Sequence, residues 1–179
     1  MTQLSAEDVV LAILRQADGE WSGKTRLSKA FYFAHLYYSM DRPGLLTDWP
    51  ITRMPQGPSI DKGDKLLADL VARGLITVEH FHDGPYPENR YRLTDKGWHA
   101  GAVPEDAQRA IEKATIFCQD KSAAELSQIT HESSRSWNQA KDGDILDIYL
   151  DTIPDDEYER RKTEVARLND LLTTVLGDG

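Results

Sequence analysis

Cysteine is nearly missing from this chain of 179 residues, where Cys118 stands alone. A single thiol excludes an intrachain disulfide framework and any zinc site built on several cysteines. Long apolar runs are missing too. No stretch approaches the roughly 18 consecutive apolar residues that mark a membrane-spanning helix. The opening residues, Met1-Thr2-Gln3-Leu4-Ser5-Ala6-Glu7-Asp8, lack the basic start and apolar core of a secretory signal. These absences lead to the expectation of a cytoplasmic protein. Basic charge is scarce in the second half. Residues 101–179 hold 9 Lys and Arg against 17 Asp and Glu, whereas residues 1–100 hold 12 against 13. Sequence-independent DNA affinity comes mostly from basic groups neutralising phosphates. The net charge of −9 therefore argues against nucleic acid, and suits solubility or a basic or polar protein partner.

Familiar catalytic patterns are also lacking. There is no GxGxxG, no Walker lysine loop and no GxSxG elbow. His131-Glu132 begins like a HExxH motif, but position 135 is Arg and the motif fails. His80 and His82 share a strand face without a third ligand at metal spacing beside them. Asp155-Asp156 opens a helix, where the dipole explains paired acids. Cys118 falls on the apolar side of a helix and reads as a buried structural thiol. The expectation is a protein that is not an enzyme and holds no cofactor or metal.

What is present is mostly helical. Ser5 to Asp8 reads as a capping box before the stripe Val9, Val10, Ile13 and Leu14, with a stop near Asp18-Gly19. A second helix from about Lys24 to Met40 is apolar or aromatic nearly all round, which predicts a central position. Four prolines and two glycines make residues 41–59 an ordered loop, with a short strand at Ile51–Met54. A helix from about Ser59 to Arg73, burying Leu66, Leu67, Leu70 and Val71, ends at Gly74. Two alternating strands follow around the turn Asp83-Gly84-Pro85-Tyr86-Pro87 and close on Tyr91-Arg92-Leu93-Thr94-Asp95-Lys96-Gly97. Helix, hairpin and "YRLTDKG" together read as the recognition helix and wing of a winged helix.

In the second half, Pro104 and the capping box Ser122 to Glu125 open two helices. A short one carries Trp137 over Ser134–Lys141, and a last one runs from Pro154 to Leu176 with Gly177 past its end. Tyr158, Val165, Leu168, Leu172 and Val175 give that last helix a heptad-like stripe, broken by Arg161. The stripe either packs on the domain or makes a homodimer. The predicted fold is mainly α with a small β-hairpin: a domain over 1–150, its winged-helix-like core at 59–97, then a C-terminal helix over 151–179.

A winged helix invites a DNA-binding reading, in which Lys62, Lys65, Arg90 and Arg92 would make the contacts. Asp61, Asp64 and Asp69 cancel the bases on the helix face, which favours a scaffold.

Two segments carry a resemblance. The first is Thr25-Arg26-Leu27-Ser28-Lys29-Ala30-Phe31-Tyr32-Phe33-Ala34-His35, followed about twenty residues later by Gly57-Pro58-Ser59. The second is Leu126-Ser127-Gln128-Ile129-Thr130-His131-Glu132, then Trp137-Asn138-Gln139-Ala140. In this order they resemble the Panacea domain, also called the SocA-like antitoxin domain and often encoded near phage genes, over roughly residues 5–150. The family commonly has a "KLQKLLYF"-like start and Gly-Pro-Val, where this chain has Arg-Leu-Ser-Lys-Ala-Phe-Tyr-Phe and Gly-Pro-Ser. The resemblance implies a non-enzymatic module of a toxin–antitoxin system that neutralises a cognate toxin by direct binding. Some relatives deliver the toxin to a protease. Leu27, Lys29, Tyr32, His35, Gly57, Pro58, His131 and Trp137 are the motif residues, read as structural, with His35 a core histidine and His131 packed on Trp137. Partner contact is expected instead from Trp49, Arg53, Met54 and Gln56 on the proline-rich loop, since exposed aromatic and Arg side chains suit hot spots.

Overall fold

The computed structural model describes residues 4–176 except Asp83 and Pro85. The predicted turn residues Asp83 and Pro85, the side chain of Val175 and the terminator Gly177 lie outside the described residues. The first helix, α1 (Ala6–Gln16), is capped as its sequence predicts. The Ser5 hydroxyl accepts from the Asp8 amide and the Asp8 carboxylate accepts from the Ser5 amide. Val9, Val10, Ile13 and Leu14 are fully buried. The short strand β1 (Glu20–Ser22) leads into α2 (Lys24–Asp41). Every residue from Leu27 to His35 on α2 is buried, because neighbouring elements cover all sides of this helix. It is the axis of the molecule.

The proline-rich segment is more ordered than a loop. Its strands β2 (Ile51–Met54) and β3 (Gly57–Ile60) form a hairpin, and residues 143–146 add a third rung on the outer edge of β2. The strand at Ile51–Met54 is as expected. The helix expected to begin at Ser59 is not; α3 spans Gly63–Ala72, and Gly57-Pro58 opens a strand rather than a helix. The register explains how a proline is tolerated there. Arg53, opposite Pro58, directs its amide and carbonyl to Asp144 and Gly143 instead. Pro58 thus occupies a position where the ladder needs no N–H.

Leu66, Leu67 and Leu70 on α3 point inward, but Val71 is 39% exposed. The wing strands β4 (Ile76–Phe81) and β5 (Glu88–Leu93) pair antiparallel, and β1 adds to β5, giving the order β1-β5-β4. The "YRLTDKG" segment then has a clear local cause. Thr94 caps the single turn α4 (Asp95–Trp98). A Cβ on Gly97 would lie 2.0 Å from the Leu75 carbonyl oxygen, so only glycine allows this turn to close on the link between α3 and β4.

The remaining helices are α5 (Glu105–Gln119), α6 (Ala123–Ser133), α7 (Arg135–Gln139), α8 (Tyr149–Thr152) and α9 (Asp155–Leu176). The Ser122–Glu125 capping box is present at α6. On α5, Ile111 and Ala114 are buried and Phe117 meets Phe33 edge-on at 4.8 Å between centroids. The helix α7 stops at Gln139, short of Lys141. The chain is therefore mainly α with two small antiparallel sheets, one of them the wing-like β1-β5-β4, and further helices toward the C-terminus. Among the described residues no helix is long and apolar enough to cross a membrane.

Candidate interaction surface

The motif segments, far apart in sequence, meet around the β2–β3 hairpin. Lys29 is 1% exposed, and its ammonium nitrogen donates to the Pro58 carbonyl at 2.9 Å. No carboxylate pairs with it among the described residues. Burial pushes its pKa down to about 7, with the nearby Cys118 acting weakly the other way. Gly57 has φ of +101°, and a Cβ there would lie 2.4 Å from Thr130 Oγ1 and 2.7 Å from Lys29 Nζ. The glycine is thus required twice, by its dihedral and by the close approach of α2 and α6. Thr130, just before His131, hydrogen-bonds back to Leu126 and Ser127 on α6.

His131 and Trp137 stack at 4.1 Å between ring centroids, 15° from parallel. The Arg53 guanidinium carbon also lies 4.1 Å from the Trp137 centroid. Trp137 thus packs against both the imidazole and the guanidinium. Arg53 Nε donates to the Trp137 carbonyl at 3.0 Å, and its guanidinium pairs with Asp142. Trp137 Nε1 donates to the Met54 carbonyl at 2.8 Å. The hairpin is thereby fixed to α7 at both Arg53 and Met54.

His35 is fully buried, and burial pushes its pKa down to about 4. Its Nδ1–H donates to the Phe31 carbonyl at 2.8 Å, which leaves Nε2 to accept from the Thr47 hydroxyl at 3.3 Å. Thr47 Oγ1 in turn accepts from the Trp49 amide, and Trp49 Nε1 donates to the Asp61 carbonyl at 2.9 Å. Leu27 is fully buried. Tyr32 donates to Asp151 at 2.8 Å, and burial together with that carboxylate raises the pKa of its phenol.

Asp151 was not visible as a key residue in the sequence. Besides Tyr32, it accepts from the Ser134 hydroxyl, the Ser136 hydroxyl and the Ser136 amide at 2.6–2.9 Å. Arg135 donates to the carbonyls of Leu150 and Ile153 and lies over the Tyr158 ring at 4.5 Å. The domain boundary placed after residue 150 cuts through this network.

Of the residues expected to contact a partner, Trp49 and Arg53 are spent on internal bonds. The carbonyl of Met54 is also used internally, but its side chain is 44% exposed, and Gln56 is exposed at the hairpin tip. Ile145, opposite Thr52 on the added rung, is 66% exposed. Met54 and Ile145 are thus exposed apolar side chains on the hairpin and its added rung.

The residues of the DNA-contact alternative are differently placed. Lys62 and Lys65 are exposed, but Lys62 precedes α3 in a left-handed conformation. On the wing, Arg90 pairs with Glu20 at 3.1 Å, and Arg92 pairs with both Glu20 and Glu79. Beside α3, Asp64 pairs with Lys24 and Arg73 with Glu7. Most of the cations on that face already have carboxylate partners. Among the described residues no group of three or more His, Cys, Asp or Glu could hold a metal ion.

Neither the family models, nor the curated proteins, nor the solved structures contain a match to this chain.

Proposed function

We propose that the chain is an antitoxin-like, non-enzymatic module that neutralises a cognate toxin protein by binding it directly. One observation supports this most: both motif segments that resemble the Panacea domain converge on one hairpin, whose exposed tip they hold rigid. Lys29, Gly57 and Pro58 fix its inner side, while His131 and Trp137 fix its outer side. A pre-ordered tip loses little conformational entropy on binding, which favours its use as a contact surface. Met54, Gln56 and Ile145 are the contacts expected there.

Co-expression with the adjacent gene is the test. Relief of that gene's toxicity and co-purification of its product are expected, and Met54→Asp should abolish both while leaving the melting temperature unchanged. A harmless neighbour with no co-purifying protein would sink the reading. A shortened lifetime of the toxin in cells would add the role of a protease adaptor.

A winged-helix regulator of its own operon is the alternative. It rests on the β1-β5-β4 order and the exposed Lys62 and Lys65. It requires salt-dependent binding to the promoter that weakens in Arg90→Ala and Arg92→Ala. The ion pairs at those arginines count against it.

A further inference from the structure

Beyond Tyr158, every described residue of α9 up to Thr174 is exposed. Tyr158 itself rests on α7, where its hydroxyl accepts from Gln139 and its ring lies under Arg135. The rest of the helix projects from the body. Val165, Leu168, Leu171 and Leu172 lie along it, each 52–56% exposed. Most helical stability in proteins comes from packing an apolar face, so the uncovered stripe calls for a partner. The polar side carries Glu159, Arg167 and Asp170, while Arg160 and Glu164 fall in line with Leu171 at the edge of the stripe. That mixture of signs does not suit an anionic lipid surface, which selects basic helices.

We propose that α9 pairs with the α9 of a second copy, antiparallel and overlapping only at the projecting ends. In the fitting register Leu168 of each copy faces Leu172 of the other. Leu171 then lies beside its own counterpart on one flank, and Asn169 beside its own on the other. This accounts for Leu171, which sits off the Tyr158, Val165, Leu172 heptad position. Charge supports the same register. Lys162, Arg161 and Arg160 of each copy then lie about 3–6 Å beyond Leu176 of the other helix along its axis, within reach of its negative pole. A parallel pair would set Arg161 against Arg161, place both negative poles together and bring the two bodies to one end. The antiparallel pair is isologous, so it closes as a dimer.

Sedimentation velocity over a range of concentrations tests the proposal. The native chain should run as a concentration-dependent dimer, and the double variant Leu168→Glu with Leu172→Glu as a monomer whose body keeps its melting temperature. Single cysteines fix the orientation, because Cys118 is buried and does not compete. Under mild oxidation Leu171→Cys should form a disulfide-linked dimer. Val165→Cys should not, since its two copies lie about 15 Å apart along the axis, too far to bridge. Cross-linking of Val165→Cys but not Leu171→Cys would overturn the antiparallel pairing, and a native monomer at all concentrations would overturn the dimer. Neither outcome bears on toxin binding at the hairpin.

Discussion

Replacing Lys29 by Met should stabilise the protein, and the gain should shrink as pH rises. Burial lowers the lysine pKa from its ordinary 10.5 to about 7 in the folded chain. Between those values the unfolded chain binds more protons than the folded one, so native stability rises with pH through that window. Below about pH 7 the cost of burying Lys29 is at its full value. A tenfold change in proton affinity is worth about 1.36 kcal/mol, which makes that cost about 4 kcal/mol at pH 7 and about 2 kcal/mol at pH 9. Methionine fills a similar volume without the charge. It also leaves the Pro58 carbonyl without its donor, a loss of about 1–3 kcal/mol that does not vary with pH. Urea denaturation of both proteins at pH 7, 8 and 9 measures the difference, and other titrating groups cancel in the subtraction. The variant's advantage should fall by about 2 kcal/mol from pH 7 to pH 9. A difference that stays constant across that range would refute this account, because it would mean that Lys29 keeps its charge when folded.

Other substitutions probe the same framework. Gly57→Ala forces a Cβ against Thr130 and Lys29 at a positive φ, and should destabilise by about 3 kcal/mol in thermal melts, a sum of strain and overpacking. Trp137→Phe keeps a ring against His131 and Arg53 but orphans the Met54 carbonyl, so a loss of about 1–2 kcal/mol is expected. Trp137→Ala removes the stack as well and should cost about 3–5 kcal/mol, read by chemical denaturation. Asp151→Asn places an amide donor among hydroxyl and amide donors and should cost about 2–3 kcal/mol; an unchanged midpoint would show that water replaces the carboxylate.

Much of the helical frame was legible because its signals are local. The capping boxes at Ser5 and Ser122 announce two helix starts, and the unbroken apolar stretch from Ala30 to Tyr38 marks the axis. The wing was legible for the same reason, from strict alternation and from Thr94 and Gly97. The β2–β3 hairpin was only half seen, because Pro58 argues against a strand unless the rung is known to need no N–H. That knowledge depends on residues 143–146, which lie far along the chain. β1 escaped notice because three residues carry no period. The contact residues were judged by type, which says nothing of the internal partners of Trp49 and Arg53: both bond to carbonyls, and Arg53 to a ring, that sequence does not place nearby. Asp151 was invisible among the many acids of the second half, since only folding sets Tyr32, Ser134 and Ser136 around it.

The Asp151 network also has a consequence in time. Tyr32 and Asp151 are separated by 119 positions. At a synthesis rate of about 5–20 residues per second, the tyrosine is made roughly 6 to 24 seconds before its acceptor. Until then the far side of the central helix stays open, along with Ser134 and Ser136. The nascent winged core must wait in an unfinished state, and a ribosome stalled short of residue 151 would leave it there.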